Sequence, residues 1–320
     1  MERFEIFMIT QQQLRSILDK YFGLQVEHVK IIQRLMFRQS FLVCTFDNKQ
    51  YVVKDYADTF SLAELTQIWQ YYWHLRESDI TVGCPLRRMD SNEFHINLKN
   101  RYYVVFEYLK GKHPDICHYE KIARALLKYH GVAKASQLMG LVSTGQKLKE
   151  VHTKFKYFYD SDYSIKQNIL SCENVLYKIA DEYDDCSKAI IHGDSILENM
   201  ILSDDEVCLI DFDNLHYGDP TEDVANTVLS FLYYGSDVYK IHAERYFQVM
   251  EFIKSYYGNA LLKSTEKRLH YYMQVHCIID LIRYAENIRF LVRMPKMEEY
   301  LLMLVKVICS KNLRELMQED

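Results

Sequence analysis

The sequence predicts an α+β fold in two lobes, β-rich to about residue 110 and mostly helical beyond it. Three observations predict it. Five short runs rich in β-branched and aromatic residues, each bounded by turn residues, crowd between Val29 and Tyr108. From His118 onward, apolar residues recur at helical spacing instead. Within that helical part the stretch AIIHGDSILENMILSDDEVCLIDFDNLHYGDPTEDV, Ala189 to Val224, inserts two further strands that each end in acidic residues.

Taken in order, Thr10 caps a first helix over QQQLRSILDKYFG, with Leu14, Ile17, Leu18 and Tyr21 on one face and Gly23 as its stop. Val29–Arg34, Gln39–Phe46 and Gln50–Tyr56 read as strands, the last two joined by a hairpin over Asp47-Asn48-Lys49. The segment Arg34–Ser40 contains no glycine. Lys54 closes the apolar run Tyr51-Val52-Val53, where a lysine can also simply snorkel from a strand edge. Ser61-Leu62-Ala63-Glu64 is a capping box, and the helix it opens continues through Leu65, Ile68, Trp69, Tyr72 and Leu75. Strands Glu93–Leu98 and Arg101–Tyr108 follow, the second running into Leu109-Lys110-Gly111, where a lobe boundary falls.

Tyr119–Leu138 is helical, with Ile122, Leu126, Leu127 and Tyr129 on one face and His130 beside them. Lys147–Asp160 is basic and aromatic, and a solvated helix face explains such a run. Ser164–Tyr183 leads to the strand Ala189-Ile190-Ile191, which ends in His192-Gly193-Asp194. Asn199 then opens a hairpin turned over Ser203–Glu206, and its second strand ends in Asp211-Phe212-Asp213. Thr221 can cap a helix over Glu222–Tyr234, placing Asp223 in the first turn, where a carboxylate gains from the helix dipole. Four amphipathic helices complete the chain: Val238–Tyr257, Leu261–Tyr272, Gln274–Phe290 and Lys296–Met317.

Two carboxylates and an amide gathered at strand ends suit phosphoryl transfer. A hydroxyl attacking a γ-phosphate needs a carboxylate to orient it and take its proton, and Mg²⁺ prefers hard oxygen ligands. In this reading Asp194 is the base, Asn199 and Asp211 hold the metal, and His192 buttresses the loop. Asp213 assists at the metal or caps a turn.

The ordered motifs H-G-D-x-x-x-x-N (His192–Asn199), I-D-F-D (Ile210–Asp213) and G-D-P-x-x-D (Gly218–Asp223) resemble those of the aminoglycoside phosphotransferase/choline kinase family. The resemblance implies a two-lobed protein-kinase-like fold, with a nucleotide-covering N-terminal lobe over 1–110 and a C-terminal lobe over 111–320 that carries the catalytic loop, metal site and acceptor pocket. It implies the cofactors ATP (or GTP) and Mg²⁺. It makes Lys54 the cation on the α/β-phosphates, with Glu64 as its helix partner and Glu77 as the alternative. Phe106–Lys110, with Glu107 and Leu109, becomes the hinge whose backbone recognises adenine. Asp223 ties the catalytic loop in place, and His130 matches a Leu-x-x-Leu-His pattern of these enzymes. The family is looser in its phosphate-covering loop than protein kinases; Arg38 and Ser40 are the candidates to stand in for the absent glycines.

Other classes fare worse. Only seven residues separate Asp211 from Asp219, too few for a phosphorylatable activation loop that docks a peptide, so the expected acceptor is a small-molecule hydroxyl such as an amino sugar, a choline-like alcohol or a homoserine-like metabolite. The net charge of −5 argues against nucleic acid as a partner. Eight dispersed cysteines without a C-x-x-C pair read as reduced thiols, and His113, Cys117 and His118 lack a second ligand pair for a metal. The start MERFEIFMITQQQ lacks the pattern of a signal peptide, and Tyr300–Val305 is too short to span a bilayer, so the expected location is cytoplasmic, off the membrane. The alternative is a catalytically weak or inactive scaffold of this fold, as among spore-coat relatives.

Overall fold

The β-rich start forms a five-stranded antiparallel sheet in the order β1-β2-β3-β5-β4: β1 Val26–Leu35, β2 Arg38–Thr45, β3 Gln50–Tyr56, β4 His95–Leu98 and β5 Arg101–Glu107. The computed structural model describes residues 9–35, 38–56, 61–99, 101–133, 138, 140–160, 163–184, 189–233, 242–258, 263–292 and 296–317. Residues 36 and 37 of the glycine-free segment lie outside these. Contacts divide the chain into two units, Met1–Lys110 and Gly111–Asp320.

In the first unit the helix Gln11–Phe22 is capped by Thr10 and stopped by Gly23 at φ 64, as the sequence predicts. Its Leu14 and Leu18 are fully buried against Phe41, Val43 and Val53 of the sheet. Truncating either leucine to alanine removes about 2–5 kcal/mol. The β2–β3 hairpin turns at Asn48, which takes φ 62, a conformation asparagine tolerates. Lys54 pairs in register with Ser40 on β2 and Val104 on β5, fixing it mid-sheet.

In the second unit, β6 Ala189–Ile191 pairs antiparallel with β9 His216–Gly218, and β7 Met200–Ser203 pairs with β8 Glu206–Leu209 through a turn at Asp204 (φ 50). The predicted hairpin is therefore present. Strand β9 is not apparent in the sequence, because His-Tyr-Gly carries no strand pattern of its own. The helix Pro220–Tyr233 is buried on nearly all sides, as its continuous apolar character after Asp223 requires.

Several expected helices differ. Thr221 does not cap its helix: Pro220 is the first helical residue, as proline's fixed φ allows, and Asp219 Oδ1 accepts from Thr221 N (2.8 Å). One helix, Lys263–Tyr284, spans the break expected at Met273, where no glycine or proline interrupts it; residues 261 and 262 lie outside the described set. The Lys147–Asp160 run becomes three short helices, Thr144–Lys149, Val151–Lys154 and Lys156–Tyr159. Ser164–Tyr183 breaks at Cys172, and the expected Lys296–Met317 helix stops at Cys309, where Ser310 is extended (ψ 148), and resumes as Leu313–Met317. The expected helix from Val238 begins at Tyr246; residues 238–241 lie outside the described set. No helix among the described residues is long and apolar enough to cross a membrane.

Candidate active site

The second unit gathers His192, Asp194, Asn199, Asp211 and Asp223 around the loop that leaves β6. Gly193 gives this loop its turn. It takes φ +73, and a Cβ there would lie 2.5 Å from the Asn214 carbonyl oxygen. The loop is held from behind by Asp223, which is completely buried. Its carboxylate accepts from His192 N (2.8 Å), Gly193 N (2.9 Å) and His130 Nε2 (2.9 Å). His130 Nδ1 in turn lies 2.7 Å from Tyr256 OH, which holds the ring in place against Asp223. Burial alone would raise the Asp223 carboxyl; the hydrogen bond and charge of His130, with the His192 backbone, outweigh it and hold the group at about 2. Ser195 Oγ also donates to Asp223 O (2.7 Å), and Thr227 Oγ1 donates to Ser195 O (2.6 Å).

His192 fills the space between the loop and β8. Its Nε2 donates to Ile210 O (2.9 Å), its Nδ1 accepts from Asp194 N (3.3 Å), and its ring packs 4.6 Å from that of Phe212. This joins the His-Gly-Asp loop to the residue before Asp211. Asn199 makes a second link: its backbone oxygen accepts from Ile210 N (2.9 Å), while its side-chain nitrogen donates to Asp194 O (2.9 Å). With the amide nitrogen so spent, the Asn199 carbonyl oxygen is the end of the side chain that can serve a ligand. Asp211 takes φ 65 at the head of a short 3₁₀ turn, Phe212–Asn214, in which Asp213 is half-buried. The Asn199 and Asp211 oxygens are the hard donors that Mg²⁺ prefers, so the residues present fit that ion.

Asp194 lies on the open side of the loop. It is partly exposed, and Asn214 Nδ2 lies 3.3 Å from its Oδ2. Desolvation, with Asp280 and Asp211 nearby and Arg283 opposing, pushes its carboxyl up to about 6.

Beside Gly193 lies a small, water-sized cavity that the sequence did not reveal, walled by Ile191 and Ile279 with Lys147, His216, Glu222, Asn226, His276 and Arg283. Lys147 departs from the solvated face expected for it: Nζ lies 2.9 Å from His216 Nδ1, and burial together with Arg283 lowers its pKa to about 7. His216 is buried on β9, which with the Lys147 charge lowers its pKa. On the helix Lys263–Tyr284, Asp280 pairs with Arg283 (3.0 Å) and lies 3.7 Å from His276. The i, i+4 and i, i+3 spacing of these three was the available sequence signal.

The remaining candidates belong to the first unit. Lys54 Nζ lies 5.6 Å from the Phe106 ring centroid. Glu64 Oε2 accepts from Ser61 N (2.9 Å) and Ser61 Oγ (2.7 Å), the capping role that its position after Ser61 already suggested. Glu107 is bidentate to Arg76, accepts from Cys84 N (3.1 Å), and gives its own N–H to Cys84 O (3.0 Å). Its side chain therefore braces the Arg76–Cys84 segment, and Leu109 follows just past the end of β5. Asp115, Cys117 and His118 lie together, but Asp115 caps its own short turn through Cys117 N and His118.

Comparison with known proteins places this geometry. A family model, the phosphotransferase enzyme family, matches residues 37–256, and the chain belongs to that family. No curated protein sequence matches the chain. Among solved structures, an amicoumacin kinase in complex with AMP-PNP, Ca²⁺ and Ami is similar at TM-score 0.72 and 14% identity, over 94% of this chain and 93% of that one. A microcompartment-associated aminopropanol kinase is similar at TM-score 0.67 and 16% identity, over 94% and 95%. The choline kinase LicA from Streptococcus pneumoniae is similar at TM-score 0.63 and 17% identity, over 93% and 98%. These likenesses show a protein-kinase-like fold.

Proposed function

We propose that this member of the phosphotransferase enzyme family transfers the γ-phosphoryl group of ATP (or GTP) to a hydroxyl of a small molecule. The observation that carries the reading is the loop His192–Asn199: one carboxylate on its open face, and a backbone clamped from behind by another. Asp194 accepts the hydroxyl proton as the oxygen attacks. A base raised to about 6 is mostly ionised at neutral pH yet close enough to it to exchange a proton readily. Asn214 orients that carboxylate, and His192 holds the Asp194 amide, so the base is aimed before substrate arrives.

Asn199 and Asp211 would hold Mg²⁺, which when bound neutralises charge on the phosphates. Lys54 would take the α/β-phosphates. Glu64, whose Oε2 also caps its helix, would be the lysine's helix partner, with Glu77 as the alternative. Backbone around Glu107 and Leu109 would receive the adenine. That the amicoumacin kinase structure holds AMP-PNP supports nucleotide as the donor.

The test is thermal unfolding with and without ATP or GTP, each with and without Mg²⁺, for wild type and Asp211→Asn. Nucleotide at about 100 times its dissociation constant adds about 2.7 kcal/mol, a readily visible shift. A Mg-dependent rise that Asp211→Asn abolishes is the expected result. No rise with either nucleotide would replace the kinase by the scaffold.

A further inference from the structure

We infer that Asp115, Cys117 and His118 form a binding site for a thiophilic divalent cation, Zn²⁺ above all, that shares no residue with the proposed active site.

Three donor atoms of different kinds meet on one turn. His118 Nδ1 lies 3.0 Å from Asp115 Oδ1 and 3.6 Å from Cys117 Sγ, and one ligand atom from each residue lies within 4.8 Å of the other two. Around a tetrahedral ion with a sulfur bond of about 2.3 Å and nitrogen and oxygen bonds of about 2.0–2.2 Å, neighbouring donors stand about 3.3–3.6 Å apart. Two edges of the triangle are therefore already close to those of a zinc tetrahedron. Cys117 is exposed, so its side chain can turn to set the third. Among the described residues, no other three His, Cys, Asp or Glu side chains bring ligand atoms so close. The second ligand pair that the sequence lacks is not needed, because Asp115 supplies the third ligand on the same turn.

The donor kinds select the metal. Mg²⁺ and Ca²⁺ take oxygen ligands, and a thiolate and an imidazole offer them little. Sulfur, nitrogen and one carboxylate oxygen suit Zn²⁺, and a fourth position stays open to water on this exposed surface. Thiolate and carboxylate together balance a dication. They outweigh the positive end of the helix Tyr119–Ala133 that follows the turn, about half an elementary charge.

The backbone holds the donors in place. Before the turn, Lys112 exchanges backbone hydrogen bonds with Leu202 of β7 (3.2 and 2.7 Å), and His113 Nδ1 lies 2.9 Å from Met200 O. After it, the helix begins directly at Tyr119. Asp115 Oδ1 caps the turn by accepting from Cys117 N (2.9 Å), but a carboxylate has about four lone-pair sites, so capping and ligation coexist. His118 Nδ1 accepts from Asp115 N at 3.3 Å, a long bond that an ion would displace. Binding also replaces a proton. The hydrogen bond between the Cys117 thiol and the Asp115 carboxylate raises the thiol's pKa and lowers the carboxyl's. As Zn²⁺ enters, the S–H bond breaks, the sulfur gives its electron pair to the ion, and the proton leaves to solvent.

The experiment uses Co²⁺ as a spectroscopic probe on the full chain, reduced and stripped of metal. One equivalent should bring up a thiolate-to-cobalt charge-transfer band together with the visible bands of tetrahedral cobalt, and Zn²⁺ should bleach both. Cys117→Ser should abolish the charge-transfer band. Asp115→Asn and His118→Gln should each weaken binding by about tenfold or more, at least what loss of an outer-shell partner costs a metal site. Cys309→Ser, at the other exposed thiol among the described residues, should change nothing. In wild type, Zn²⁺ should slow alkylation of Cys117 by iodoacetamide and leave Cys309 at its own rate, a readout by peptide mass that needs no variant to fold. No charge-transfer band, a band that survives Cys117→Ser, or alkylation of Cys117 indifferent to Zn²⁺ would overturn the inference. So would affinity unchanged in both Asp115→Asn and His118→Gln, which would leave only a lone thiol.

Discussion

Asp194 and Asp223 serve the same loop from opposite sides, and their surroundings drive them apart. Asp223 is sealed in, yet three N–H donors surround its carboxylate and hold it ionised at about 2. Asp194 is raised to about 6, first by desolvation and then by two neighbouring carboxylates. Burial raises both carboxyls; the donors aimed at Asp223 outweigh it, and the single one aimed at Asp194 does not. One is a strut, and the other is left with proton-accepting capacity.

Replacing each in turn tests that contrast. Asp194→Ala should lower turnover by about 10²–10⁴-fold while leaving melting temperature unchanged or higher, because it deletes a buried, raised carboxylate and only one long hydrogen bond, from Asn214. Near wild-type turnover would remove Asp194 from the role of base. Asp223→Ala should instead cost about 3–5 kcal/mol of stability, since it strands three donors in the interior; chemical denaturation reads this directly. If the loss were small, water would be replacing the strut.

Acid titration of stability should separate the two more finely. Asp223 has its pKa depressed from 3.8 to about 2, so its contribution is present above pH 4 and is lost as pH falls toward 2. Asp194 has its pKa raised from 3.8 to about 6, so its cost is fully present above pH 6 and is relieved as pH falls toward 4. Melting temperature followed from pH 7 to 4 should therefore decline less in wild type than in Asp194→Asn. Parallel curves would mean that Asp194 titrates like an ordinary aspartate.

The strut and the base were both legible in the sequence because their motifs sit where strands end and a helix begins. Strands β2, β3 and the β7–β8 hairpin were legible for the same reason: apolar runs framed by turn residues. The cavity was not. Lys147 follows a capping serine within a lysine-rich run, and nothing in that run distinguishes the one side chain that turns inward. His216 belongs to a strand whose only evidence is its partner β6. Asn226 is one of several polar residues, with Thr227 and Ser230, scattered along a buried helix. Such positions acquire meaning only when helices distant in sequence pack together, and no local period encodes that. The cap at Asp219 rather than Thr221 shows a smaller failure of the same kind, where proline's preference for the first helical position outranks a nearby hydroxyl.

The left-handed backbone at Asp211 has a bearing on the gene as well as on the molecule. Of the residues with side chains, aspartate and asparagine visit that conformation most cheaply. Most other side chains would pay about 1–2 kcal/mol at this position. Asn and Gly, each one base change away from either aspartate codon, escape that cost and should fold normally while weakening the metal site. A lineage of this protein could therefore slip into a well-folded, catalytically silent form in a single step, and residue 211 is where to look for it.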